Sequence, residues 1–149
     1  MPIKLYRLAR FFYKKGIPFL PKIIKGINFF LFNCVIPPEC EIGEGTRLWH
    51  NGLGVVIHPS TKIGTNCNIY NFIVFGGGHD GPDGPDISIV IGNDCNISAG
   101  AKILCKEGTL NIGDNCTVAA NAVVLSNLPP NCIAGGIPAK ILKTKVKSL

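Results

Sequence analysis

An imidazole changes charge within the physiological pH range, so histidines are the first candidates for proton chemistry in an unfamiliar chain. There are three. His50 stands in Leu48-Trp-His-Asn-Gly52, where an imidazole near its ordinary pKa could take a hydroxyl proton at neutral pH; the alternative is a turn histidine with no chemical role. His79 precedes Asp80, a pair that would act as a second acid and base or line an acceptor pocket. His58, before Pro59, reads as a turn residue. The histidines are too scattered to ligate a metal, and no metal is expected. The seven cysteines include no Cys-x-x-Cys pair, and four of them, Cys40, Cys67, Cys95 and Cys116, are expected as compact core residues rather than ligands or disulfides.

What positions these residues is a repeat. Ile36, Ile42 and Leu48 are six apart; so are Ile57, Ile63, Ile69 and Phe75; so are Ile91, Ile97 and Ile103, and Ile112, Val118 and Val124. Neither a helix nor a two-residue strand alternation has that period. Four places after a register residue the chain is usually small, as at Cys40, Thr46, Gly52, Thr61, Cys67, Cys95, Ala101, Cys116 and Ala122; Ile73, Glu107 and Leu128 are exceptions. The pattern predicts an all-β fold, a triangular coil of short parallel strands with three hexapeptides per turn. Gly43, Gly64, Gly92 and Gly113 each follow a register residue, where a turn is expected to need positive φ. The step lengthens to nine at Leu48–Ile57 and Ile103–Ile112, and to sixteen at Phe75–Ile91, which marks an extruded loop within 76–90. Insertions in a solenoid tend to share one functional face, so the site is expected near them.

Residues 1–33 do not repeat. Leu5, Leu8, Phe11 and Phe12, then Ile23, Ile24, Ile27 and Leu31, lie at helical spacing on either side of Gly16 and Pro18. Two short helices capping the first coil are expected, with a membrane-surface helix as the alternative because the polar face is purely basic. The division is then a helical cap at 1–33, a β-helix domain at 34–142 and a basic tail at 143–149. Seven Lys and Arg precede the first acidic residue, Glu39, and four Lys cluster at 140–147, within a net charge of +6. Such ends could meet anionic lipid or a phosphorylated cofactor; few aromatics interleave with the cations, which argues against nucleic acid. No apolar run reaches the roughly 18 residues of a membrane span, and no signal-peptide order opens the chain, so a cytoplasmic location is the default expectation, with contact at the inner membrane face through the basic N-terminus as an extension.

Five segments in order carry a family likeness: Leu48-Trp-His-Asn-Gly-Leu-Gly-Val-Val-Ile57, Val74-Phe-Gly-Gly77, Ser98-Ala-Gly-Ala-Lys-Ile-Leu104, Ala119-Ala-Asn-Ala-Val-Val-Leu125 and Ala134-Gly-Gly-Ile-Pro-Ala-Lys-Ile141. Across about residues 34–142 the chain resembles the serine acetyltransferase branch of the hexapeptide acyltransferases. The resemblance implies a left-handed parallel β-helix, a homotrimer, and acetyl-CoA and acceptor bound between adjacent subunits. It places His50 at the catalytic histidine of the family's Leu-Asp-His-Ala-Thr-Gly segment. It assigns Gly76, Gly77, Ala99 and Ala120 to the small positions along the pantetheine arm, and Gly136, Pro138 and Lys140 to the segment near the adenine end.

Three departures bear on the acceptor. The family's aspartate fifteen residues before the histidine is Val35 here, its aspartate directly before the histidine is Trp49, and its Arg-His pair falls on Ile87 and Ser88. Another group must then orient His50: a backbone carbonyl, or a carboxylate of the Asp80–Asp86 loop from this subunit or a neighbour. Without charges to hold a zwitterion, a neutral sugar or glycan hydroxyl is the expected acceptor, with Trp49, His79 and Asp80 lining its site. The short basic N-terminus also resembles acetyltransferases of capsule, O-antigen and exopolysaccharide synthesis. Serine is the alternative acceptor, and a catalytically inactive structural β-helix the second alternative.

Overall fold

A computed structural model of the chain describes residues 1–77 and 86–146. Two helices, α1 (Pro2–Lys14) and α2 (Leu20–Phe32), precede the coil. Its first turn holds β1 (Glu41–Ile42), β2 (Arg47–Leu48) and β3 (Val56–Ile57), and its second β4 (Thr61–Ile63), β5 (Asn68–Ile69) and β6 (Val74–Gly76). The third holds β7 (Ile87–Ile91), β8 (Asn96–Ile97) and β9 (Lys102–Leu104), and the fourth β10 (Gly108–Ile112), β11 (Thr117–Val118) and β12 (Val123–Val124). β13 (Cys132–Gly135) and β14 (Lys140–Thr144) finish it. Among the described residues the strands form three sheets, ordered β1-β4-β7-β10, β14-β13-β11-β8-β5-β2 and β12-β9-β6-β3.

The six-residue register becomes three interior columns. Ile42, Ile63, Ile91 and Ile112 stack in the first sheet; Leu48, Ile69, Ile97, Val118 and Ala134 in the second; Ile57, Phe75, Ile103 and Val124 in the third. Apart from half-buried Leu48, these side chains are buried, each contributing about 1.5–3 kcal/mol when large and aliphatic. The small positions fill the corners between columns. Cys40, Cys67, Cys95 and Cys116 are all buried there, as are Thr61, Ala101 and Ala122, and the thiols are free.

The glycines after the register residues have a different role from the one their position suggests. Gly43, Gly64, Gly92 and Gly113 do not have positive φ. Their constraint is the neighbouring coil: a Cβ on Gly43 would sit 2.5 Å from the Gly64 carbonyl, and one on Gly64 2.5 Å from the Gly92 carbonyl. The left-handed positions form a ladder two residues further on, at Gly45, Asn66, Asp94 and Asn115, which Asn131 continues one coil higher. Glycine, Asn and Asp tolerate that conformation best. A second such ladder, Gly54, Phe72, Gly100 and Asn121, turns the chain from the second sheet to the third.

The helices cap the first coil. Buried Tyr6 accepts the Ile42 N–H (3.1 Å) and donates to the Cys40 carbonyl (2.7 Å), so one hydroxyl satisfies two backbone groups at the open end of the coil. Arg10 donates to the carbonyls of Pro38, Glu39 and Cys40. Asn33, left-handed at φ 51°, ends α2. The opposite end is closed by β14, which folds back antiparallel on β13. No helix among the described residues is long and apolar enough to cross a membrane.

Candidate active site

The nine-residue step between Leu48 and Ile57 is a 3₁₀ turn, Trp49–Gly52, at the corner between the second and third sheets. His50 (φ 52°, ψ 38°), Asn51 (φ 55°, ψ 27°) and Gly52 (φ 66°) are left-handed in succession. That conformation costs a non-glycine residue roughly 1–2 kcal/mol, and the turn keeps it through internal bonds. The His50 carbonyl accepts the Leu53 N–H (3.2 Å), and the Gly52 carbonyl accepts the Val55 N–H (2.9 Å). Gly52 is buried within reach of Pro2, so α1 supports the turn from below. The His50 side chain is exposed, and among the described residues nothing hydrogen-bonds its imidazole.

Trp49 is fixed beside it. Its ring stacks on Tyr70 at 5.9 Å between centroids and 12° between planes, and its indole N–H donates to Asn68 Oδ1 (2.9 Å). Asn68 in turn donates to Asn96 (2.9 Å). With 41% of Trp49 left in solvent, the stack forms a rigid aromatic platform one residue along the chain from His50.

Above the platform the same corner narrows. Trp49, Tyr70, Ser98, Ala119 and Gly135 each follow a second-sheet register residue, and the side chains shrink from indole to hydrogen up the coil. Beside them Ala99 accepts the Asn121 N–H (3.0 Å), with Ala120 exposed one coil higher. At the top the exposed Gly136 (φ 93°) accepts the Val123 N–H (3.0 Å), followed by a cis peptide at Ile137–Pro138 and by exposed Lys140 at the start of β14. Trp49, His50, Ala99, Ala120, Gly136, Pro138 and Lys140 therefore lie along one edge of the prism.

Gly76 and Gly77 lie at the next corner, where the third sheet gives way to the first. Gly77 (φ 130°) is demanded by stacking, since a Cβ would fall on the Cys105 carbonyl. Gly76 is not: among the described residues a Cβ there would meet only Val74 Cγ1, at 3.6 Å. Its smallness leaves open a groove of about 530 Å³ that includes Val35, Val56, Val74, His58 and Gly77. Gly76→Val is accordingly expected to leave the melting temperature unchanged and to raise KM for acetyl-CoA by about ten-fold. Steady-state kinetics check this, and an unchanged KM would remove Gly76 from the donor groove.

His58 does form a turn, with Nδ1 2.7 Å from Ser60 Oγ, and Ser60 Oγ donates to the Ile87 carbonyl (2.5 Å). Its presence in the groove was not foreseen, although its place one residue after Ile57 puts it outside the coil. Val35 bridges Val56 on the third sheet, Ile87 is buried in β7, and Ser88 is half-buried. His79 and Asp80 lie outside the described residues. No group of three or more His, Cys, Asp or Glu among the described residues could hold a metal ion.

No protein-family model matches the chain. Over 137 residues, 92% of its length, it is 36% identical to the serine acetyltransferase of Helicobacter pylori and covers 77% of that protein. The chain belongs to the serine acetyltransferase family. It is 31% identical over 137 residues to the Synechococcus elongatus serine acetyltransferase, of which it covers 54%. The serine acetyltransferase of Brucella abortus in complex with coenzyme A superposes with a TM-score of 0.87 at 29% identity, over 98% of this chain and 56% of that one. The Neisseria gonorrhoeae serine acetyltransferase in complex with serine gives 0.84 at 30% identity, over 95% and 55%. The fold is thus the left-handed parallel β-helix of the hexapeptide acyltransferases, and the chain spans about half the length of several serine acetyltransferases it matches. These relatives are named for serine and give no support to the capsule and O-antigen likeness.

Proposed function

We propose that the chain is an acetyl-CoA-dependent O-acetyltransferase in which His50 removes the proton of an acceptor hydroxyl. As the hydroxyl oxygen attacks the thioester carbonyl, the imidazole takes its proton; collapse of the tetrahedral adduct breaks the carbon–sulfur bond, and the CoA thiolate takes a proton back from the imidazolium. General-base assistance of this kind contributes roughly 10²–10⁴ in rate. The observation that carries the reading is an exposed imidazole at the foot of an edge lined by Ser98, Ala99, Ala119 and Ala120, in a member of the serine acetyltransferase family. Lys140, at the top of that edge, would meet the cofactor's phosphates as a mobile point charge.

The proposed assembly is a homotrimer with the site between subunits. A single chain carries His50 and Gly76 on different corners of the prism, and a second subunit laid along the third sheet would bring the two sets together. The cytoplasm, where the proposed donor is made, is the proposed location.

L-Serine is the acceptor the relatives favour, by their names and by the serine complex. A sugar hydroxyl is a second reading, favoured by the Trp49–Tyr70 platform beside His50 and by the apolar Val35 and Trp49 where the family carries aspartates. A competition assay separates them: with acetyl-CoA and equal L-serine and nucleotide sugars, mass spectrometry is expected to find O-acetylserine as the main product. Acetylated sugar in excess would shift the assignment to the second reading, and neither product would sink both.

A further inference from the structure

The cap has an outer face that the coil does not use. α2 buries Pro21, Ile24 and Asn28 and turns the opposite stripe to solvent. Phe19, Ile23, Ile27 and Phe30 follow one another at helical spacing on that stripe, with Phe19 75% and Phe30 84% exposed. Four large apolar side chains in one exposed row form a patch that a soluble surface rarely leaves uncovered. The two helices carry charge of one sign. Residues before Glu39 include no Asp or Glu, and Lys4, Lys14, Lys15 and Lys22 are all exposed. Arg10 is taken up by the Pro38, Glu39 and Cys40 carbonyls and belongs to the fold, so it is not counted with this surface.

We propose that this face of the helical cap docks on an anionic lipid bilayer, with the Phe19–Phe30 stripe entering the headgroup boundary and the lysines meeting lipid phosphates. An apolar stripe on helices whose only charges are cations is what an interfacial helix needs; the nearest exposed acid along the chain, Glu39, lies in the groove shared by Lys22, Lys25 and Phe29. A second copy of the chain fits less well, because face-to-face pairing would set the two sets of lysines against each other. The helices are too short to span, so the contact is peripheral and reversible.

The test is co-sedimentation of the whole chain with vesicles of phosphatidylcholine alone or of phosphatidylcholine with phosphatidylglycerol. Binding to the mixed vesicles is expected to exceed binding to phosphatidylcholine by about ten-fold or more and to fall at high salt. Ile23→Glu with Phe30→Glu, and separately Lys14→Glu with Lys15→Glu, should each lose most of it. All four positions are exposed, so circular dichroism and acetyl transfer in solution should be unchanged. Absence of binding to the mixed vesicles, or equal binding to both kinds, overturns the proposal. So does lipid-free self-association that the Ile23→Glu/Phe30→Glu variant abolishes, since the stripe would then be an interface between copies.

Discussion

Replacing His50 with alanine is expected to lower turnover by about 10²-fold or more while leaving the fold and KM for acetyl-CoA close to those of the parent chain. The imidazole is exposed and makes no hydrogen bond with any described residue, so its loss leaves no hydrogen-bond partner among them unsatisfied. The one structural demand of the position is its left-handed backbone at φ 52°. Asparagine accepts that conformation better than alanine and cannot act as a base near neutral pH, so His50→Asn separates the two effects. It should match His50→Ala in turnover and equal or exceed it in melting temperature. Unchanged turnover in both, with loss in His58→Ala or His79→Ala instead, would move the base to another histidine.

The second large effect concerns the cysteines. All seven are buried, and burial pushes the thiols of Cys34 and Cys132 up to about 11 and that of Cys40 to about 12, from an ordinary 9.0. A neighbouring Cys116 thiol adds to the shift at Cys132. Near neutral pH these three then hold roughly 10²–10³-fold less thiolate than free cysteine, and the reagent must also enter the coil. Ellman's reagent is expected to find almost no rapid thiol in the native protein and seven after unfolding. Fast titration of several thiols without denaturant would mean a looser coil. The same shifts fix a pH dependence. These three thiols hold a proton more tightly in the folded state, so the stability they contribute is fully present below about 9 and is lost as pH rises through 11–12, whereas at Cys67 a hydrogen bond with Cys95 pulls the thiol down to about 7. The melting temperature should therefore fall above pH 9, and one that rose there would contradict the assignment.

Much of the coil was legible because its period is set by packing alone. The pairing of Ile42 with Ile63, Ile69 with Ile97 and Phe75 with Ile103 is the six-residue register seen in space. The glycines after it were misassigned in mechanism, because sequence shows that a side chain is missing but not whether φ or the next coil forbids it. The second ladder would have been hard to find, since Phe72 stands among its glycines and Asn121 with no compositional signal. The Trp49–Tyr70 stack could have been read: both residues follow a register position, so adjacent coils must bring them together. β14 could not, because all five of its residues are exposed and it is placed by antiparallel pairing with β13, with Leu142 lying over Gly135. The placement of Gly76 and His50 on different corners follows from counting coils. Whether a second subunit joins them is a property of surfaces that a linear pattern does not encode.

The account stands most directly on acceptor-dependent release of CoA. With the purified chain, acetyl-CoA and L-serine, free thiol should appear at a rate that rises and saturates with serine, and that falls about 10²-fold in His50→Asn. No increase over acetyl-CoA alone, with L-serine or with any sugar or nucleotide sugar in its place, would contradict the claim that this β-helix transfers an acetyl group to a hydroxyl.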